Sequence, residues 1–269
     1  MRYYFAIIKN TNISRGHIIN SLSEFHRIGL CIVDLDHSKI VICDGVARFS
    51  PDILFVAATE QLIKDNFLKL AKIIKHVLFQ GEELPYDMHR LLKIMQTEAL
   101  EAVNLMNCHV ALVPQILKTS FYFRMYEVIT FLRLGDYPSY SSLMDMLPYR
   151  YVWYKIMQGN TLLASSMERH QRPISRLARK NPGKLVHSYR SVSLHKMDDS
   201  VDTTTGEVLY TEHMFEDIMD SEFPKYKADM QYGLHSIGKL ERTQVDAFFF
   251  RARPAGSCSS VAELFLVKK

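Results

Sequence analysis

Cysteine is scarce in this 269-residue chain and carries no pattern. Cys31, Cys43, Cys108 and Cys258 contain no C-x-x-C pair, so neither a zinc ribbon nor a dithiol redox motif is written here. Single thiols among apolar neighbours fit a reducing compartment. With eleven Gly and nine Pro, long disordered linkers are not expected. No internal repeat is found, which removes solenoids and propellers. Nor is there an uncharged apolar run of the ~18 residues that a membrane span needs. The stretches 53–79 and 121–134 are broken by Lys, Asp, Arg or Glu, and the start MRYYFAIIKN has no signal-peptide core. An intracellular, cytoplasmic protein without membrane contact is the expectation. Phosphate loops are missing too: Asn181-Pro182-Gly183-Lys184 lacks the upstream glycine, and Pro182 removes an N–H that a phosphate would need. GxGxxG, GxSxG, HExxH and the kinase set are all absent. No catalytic residue, no metal site and no cofactor are therefore expected.

What is present suits a folded protein: 48% of residues are apolar and 23% charged, enough for a substantial core. Residues 2–8 read as a strand and Ser14–His26 as an amphipathic helix. Leu30–Val33 and Lys39–Cys43, joined by Asp34-Leu35-Asp36-His37-Ser38, read as a β-hairpin, on which Cys31 and Cys43 could face each other. Ile63, Phe67, Leu70, Ile74 and Val77 recur at spacings of four and three, which predicts one buried helical face. A second helix is predicted from a capping Asp87 to about Met106. Ser120–Leu134 is apolar almost all round and ends before Gly135 and Pro138, so it belongs in a bundle centre or under a partner. Shorter helices follow at 141–146, 149–157 and 162–170. Beyond Pro182 the alternation in Leu185–His195 reads as a strand, with others at 206–210, 245–251 and 262–267. The expected fold is α+β. A mainly helical domain, 1–182, carries the N-terminal hairpin and helix, and a smaller mixed or β-rich region spans 183–269.

Charge is sharply divided. Between Arg169 and Arg190 the chain has seven basic residues (Arg169, Arg172, Arg176, Arg179, Lys180, Lys184, Arg190) and no acid. Between Asp198 and Glu222 it has nine acids, among them Asp198, Asp199, Asp202, Glu212, Glu216, Asp217 and Asp220, and no Lys or Arg. Each block needs a counterpart, in this chain or on a partner. Arginine grips phosphate and carboxylate with paired donors, and Tyr149, Tyr151, Trp153 and Tyr154 lie just upstream as rings on which bases stack. The alternatives are an acidic protein partner and nucleic acid for the basic block, and a basic partner for the acidic one. Pairing of the two blocks is the plainer reading.

Two other constellations bear on chemistry. Asp34-Leu35-Asp36 after an apolar run resembles the first motif of haloacid-dehalogenase-type phosphatases. The resemblance makes Asp34 the nucleophile, with Lys196, Asp198 and Asp199 in later roles. The same residues also suit a turn. His213, Glu216 and Asp217 at helical spacing, and His187 with His195, lack the further ligands that a metal centre requires.

Phe121–Asn160 (FYFRMYEVITFLRLGDYPSYSSLMDMLPYRYVWYKIMQGN) joins an apolar helix ending at Gly135, a short helix reaching Leu147-Pro148, and an aromatic stretch, Tyr149–Met157. This arrangement resembles small assembly proteins of tailed bacteriophages, among them tail assembly chaperones and baseplate hub assembly factors. The resemblance implies a structural protein of the virion or its assembly, without catalytic residues, docking on other subunits as a homo- or hetero-oligomer. Thirteen methionines, adaptable at contact surfaces, suit such a part.

Overall fold

The computed structural model describes residues 12–43, 46–80, 82–164, 183–186, 188 and 212–245. The expected strands at 2–8, 206–210 and 262–267, nearly all of that at 245–251, and the helix beyond residue 164 lie outside these. The described chain is mainly helical with a few short antiparallel strands, a mainly helical α+β fold.

Helix α1 (Asn12–Arg27) leads into β1 (Leu30–Ile32). The hairpin expected between β1 and the next strand does not form. β2 (Ile40–Cys43) pairs with β3 (Val46–Phe49), while β1 pairs with β4 (Phe55–Ala57), Cys31 opposite Val56. Asp34, at φ 48°, and a 3-10 turn at His37–Lys39 lead the chain away from β1, so the two short sheets share no strand. Cys31 is buried and Cys43 exposed, each a free thiol.

Thr59 caps helix α2 (Glu60–Ile73) by accepting from the Leu62 N–H. Phe67, Leu70 and Ile74 are buried as their spacing predicts. A π turn over Ile74–Leu78 then changes the phase, and Leu78 and Phe79 enter the core. Asn66, also on the buried face, donates to Ile32 O and accepts from Ile32 N–H, both at 2.9 Å, standing in for a neighbouring strand.

The long helix expected from Asp87 to Met106 is two pieces, α3 (Tyr86–Thr97) and α4 (Val103–Asn107), separated by a turn. Asp87 sits inside the first turn, accepting from Met88 N–H, rather than at the cap. Helix α5 (Lys118–Gly135) follows, then α6 (Tyr137–Met146), whose start is capped by Asp136, and α7 (Trp153–Gly159). Of the strand expected at Leu185–His195, residues 185, 186 and 188 are described and are helical; 187 and 189–195 lie outside the described residues. Leu185 and Val186 are both buried, as neighbours on the inner side of a helix can be.

Helices α8 (Glu212–Glu222) and α9 (Tyr226–Ser236) follow, and a 3-10 turn at Leu240–Thr243 comes near the end of the described chain. On either side of residue 182 the apolar residues share one core, from Ile19, Phe67 and Tyr122 to Val186, Phe223 and Met230. Gly233 lets α9 approach α6 closely: a Cβ there would lie 2.5 Å from Leu143 Cδ1. Gln231, fully buried, accepts from Val110 N–H at 2.9 Å and donates to Cys108 O at 2.7 Å, so α9 enters the core without an orphaned amide.

A buried charge cluster and an exposed aromatic rim

Of the basic block, Lys184 alone is described, exposed on the helical residues 183–186; the other six lie outside the described residues, as do Asp198, Asp199, Asp202 and Lys196. The acidic block reaches the described chain in α8, and it turns inward. Lys227 of α9 donates to Glu216 at 2.5 Å and to Asp220 at 2.8 Å. Lys118, at the start of α5, donates to Asp220 at 2.8 Å and lies 3.5 Å from Asp87. Thr119 also donates to Glu216. Asp217 is exposed and accepts from Gln115 at 3.0 Å. Glu212 opens α8.

Lys118, Lys227 and Glu216 are buried, which is costly for ions unless they answer one another. Burial alone would pull the Lys118 ammonium down, yet Asp220 and Asp87 hold it above its usual range. Burial likewise opposes the Asp220 charge, but Lys227 and Lys118 bring its pKa down to about 2. Glu216 is therefore no surface contact, and Asp220 is committed inside the molecule. Among the described residues the partners of Glu216 and Asp220 are two separate lysines, Lys227 and Lys118. Neither looks special in sequence. The one hint is that Lys118 opens a helix otherwise poor in charge.

A cavity of about 260 Å³ opens beside the cluster, lined by Tyr86, Asp87, Lys118, Asp220, Lys227 and Val110 among others. Tyr86 donates to Asp229 at 3.1 Å, and burial with the Asp229 charge pushes its hydroxyl up to about 12. Arg90 stacks over the Tyr232 ring at 4.0 Å, and Tyr232 donates to Glu98 at 3.0 Å. His109 is buried, its Nδ1 accepting from Ala111 N–H, and burial brings it down to about 4. The charges in and around the cavity are matched by one another, so what this arrangement does is fix α8 and α9 against α3 and α5.

Asp34 is exposed on its left-handed turn, and Asp36 accepts from Ser38 N–H at 2.7 Å as a cap. The turn reading accounts for both, and among the described residues there is no parallel sheet to support the phosphatase resemblance. Glu216 is taken by Lys227 and Thr119, and among the described residues no three His, Cys, Asp or Glu side chains converge as metal ligands. No helix of the described residues is long and apolar enough to cross a membrane.

The expected stacking platform shrinks to one ring. Trp153 is buried, Tyr149 packs edge-on against Phe223, and Tyr154 is half-buried; Tyr151 is 69% exposed, with the Arg150 guanidinium 5.6 Å above it. The apolar face of α5 expected under a partner is visible in part. Phe121, Tyr122, Met125, Val128, Ile129 and Leu132 are buried, whereas Phe131 and Leu134 are 72% and 77% exposed. Tyr137, at the start of α6, is 66% exposed and tilts against Tyr140. Beside Phe131 a groove of about 530 Å³ runs between the end of α5 and a 3-10 turn at Leu240–Thr243, with Lys239 and Arg242 on its far wall. No protein-family model matches this chain, and no curated protein or solved structure matches it either.

Proposed function

We propose that this chain is a non-enzymatic structural or assembly protein that docks on other protein subunits through the aromatic rim at the end of α5 and the start of α6. The observation that carries the reading is the exposure of Phe131, Leu134 and Tyr137 together at one helix junction. Scattered apolar residues on a surface are ordinary, but large ones grouped beside a groove mark a contact site. Each would contribute about 1.5–3 kcal/mol on burial by a partner. The buried cluster supports the same reading, since it makes α5, α8 and α9 a stiff frame for that rim. The likeness of Phe121–Asn160 to tailed-phage assembly proteins sets the assembly in a virion tail or baseplate.

Co-expression with the proteins encoded beside it tests this. The wild-type chain is expected to co-purify with a defined subunit, itself included. Phe131→Glu/Tyr137→Glu, shown folded by circular dichroism, should co-purify with none. A wild-type chain that binds no protein would sink the reading, and phosphate release abolished by Asp34→Asn would point to the enzyme instead.

A further inference from the structure

We infer that the groove between the end of α5 and the Leu240–Thr243 turn is a two-fold interface, and that its occupant is a second copy of this chain. The inference rests on the docking reading above and names its partner. Its first support is Gly135. This residue is helical and has no positive φ, so no turn requires glycine, and a Cβ built on it meets nothing within 4 Å. Gly233, by contrast, is filled by Leu143. Gly135 ends the helix, and its missing side chain leaves room for another surface to come close beside two exposed apolar side chains. Phe131 precedes it by one helical turn, and Leu134 is adjacent.

The second support is the distribution of charge. Glu127 and Asp136 stand on the α5 side of the groove, Lys239 and Arg242 on the other. Lys239 and Asp136 close one end with a 3.0 Å ion pair. Arg242 is exposed and forms no ion pair among the described residues, and Glu127 makes a 3.6 Å pair with Arg124 in which both remain more than half exposed. A second copy must find both signs on the same patch, on opposite walls, because a two-fold axis brings residue i against j and j against i. The two walls carry that layout, and the proposed dimer pairs Glu127 of each copy with Arg242 of the other. The groove volume, about 530 Å³, falls in the ~300–1,000 Å³ range of cavities that enclose a ligand, ample for an incoming aromatic side chain. A stable dimer buries ~800 Å² per partner, so the contact extends onto Tyr137 and Pro138 of α6.

Sedimentation of the full chain over a range of concentrations tests the interface. The wild type is expected to dimerise, and Phe131→Glu to be monomeric. Glu127→Lys alone sets Lys against Arg twice, and Arg242→Glu alone sets Glu against Glu twice. Each single change should weaken the dimer about tenfold or more, while the double exchange Glu127→Lys/Arg242→Glu should recover most of the loss. Both positions are exposed, so folding is not at stake. A wild type that stays monomeric, a dimer indifferent to Phe131→Glu, or a double exchange no better than the singles overturns the inference. If in that case Phe131→Glu still abolishes co-purification with a different protein, the docking reading stands and only its partner was wrong. If the wild-type chain co-purifies with nothing, both fall.

Discussion

Lys227 and Asp220 meet at 2.8 Å across the turn between α8 and α9, and the same ammonium reaches Glu216 a further turn back along α8. One buried cation thus answers two carboxylates from a stretch that holds no Lys or Arg of its own.

Replacing Lys227 by Met removes that answer while filling the same volume. It should cost ~3–5 kcal/mol, because Glu216 and Asp220 stay behind with less compensation. Lys227→Met/Glu216→Leu should be milder than the sum, since both ions of the buried pair leave together. Urea unfolding of Lys227→Met, Glu216→Leu and the double variant is the measurement. A loss in the double variant equal to or greater than the sum of the two single losses would contradict the account.

Acid should destabilise the fold in two steps. His109 lies at about 4 in the folded protein against 6.5 unfolded, so the unfolded chain binds the extra proton first and stability falls as pH drops from 6.5 toward 4. Asp220, at about 2 against 3.8 unfolded, contributes stability that is fully present above 3.8 and is lost as pH falls through 2. The second step is worth roughly 2 kcal/mol. His109→Asn keeps an acceptor for Ala111 N–H without a titrating ring, so its stability should fall less across the first window, where burial of His26 still opposes its protonation. Melting temperatures from pH 7 to pH 2 decide it.

The two glycines should respond oppositely to alanine. Gly135→Ala places its methyl in open space and should stabilise the folded chain by ~0.5–1 kcal/mol. Gly233→Ala sets a carbon 2.5 Å from Leu143 Cδ1 in the core and should cost ~1–3 kcal/mol. Thermal unfolding of both, at a concentration low enough to keep the chain monomeric, checks the pair.

Local signals were readable and partner choice was not. The apolar stripe of α2 and the extent of α5 follow from residue spacing, because a helix satisfies its hydrogen bonds within itself. Leu30–Ile32 was visible as a strand, but its pairing with Phe55–Ala57 was hidden, since nothing local to β1 distinguishes one extended neighbour from another. The π turn after Ile73 and the break at Glu98–Ala102 are set by packing, so periodicity ran straight through both. Charge behaved likewise. The acidic run announced itself, yet only the fold decides that Glu216 points inward while Asp217, one residue on, faces water. Phe131 and Leu134 were hinted at by a helix with too few polar residues, although which apolar positions would be left uncovered was not legible.

Asn66 has a consequence for how the molecule can multiply. Its carboxamide occupies both hydrogen-bonding groups of Ile32 on the side of β1 away from β4. A foreign strand arriving at that edge finds the groups of Ile32 already taken. Addition of a further strand there would have to displace the Asn66 carboxamide from both bonds at once.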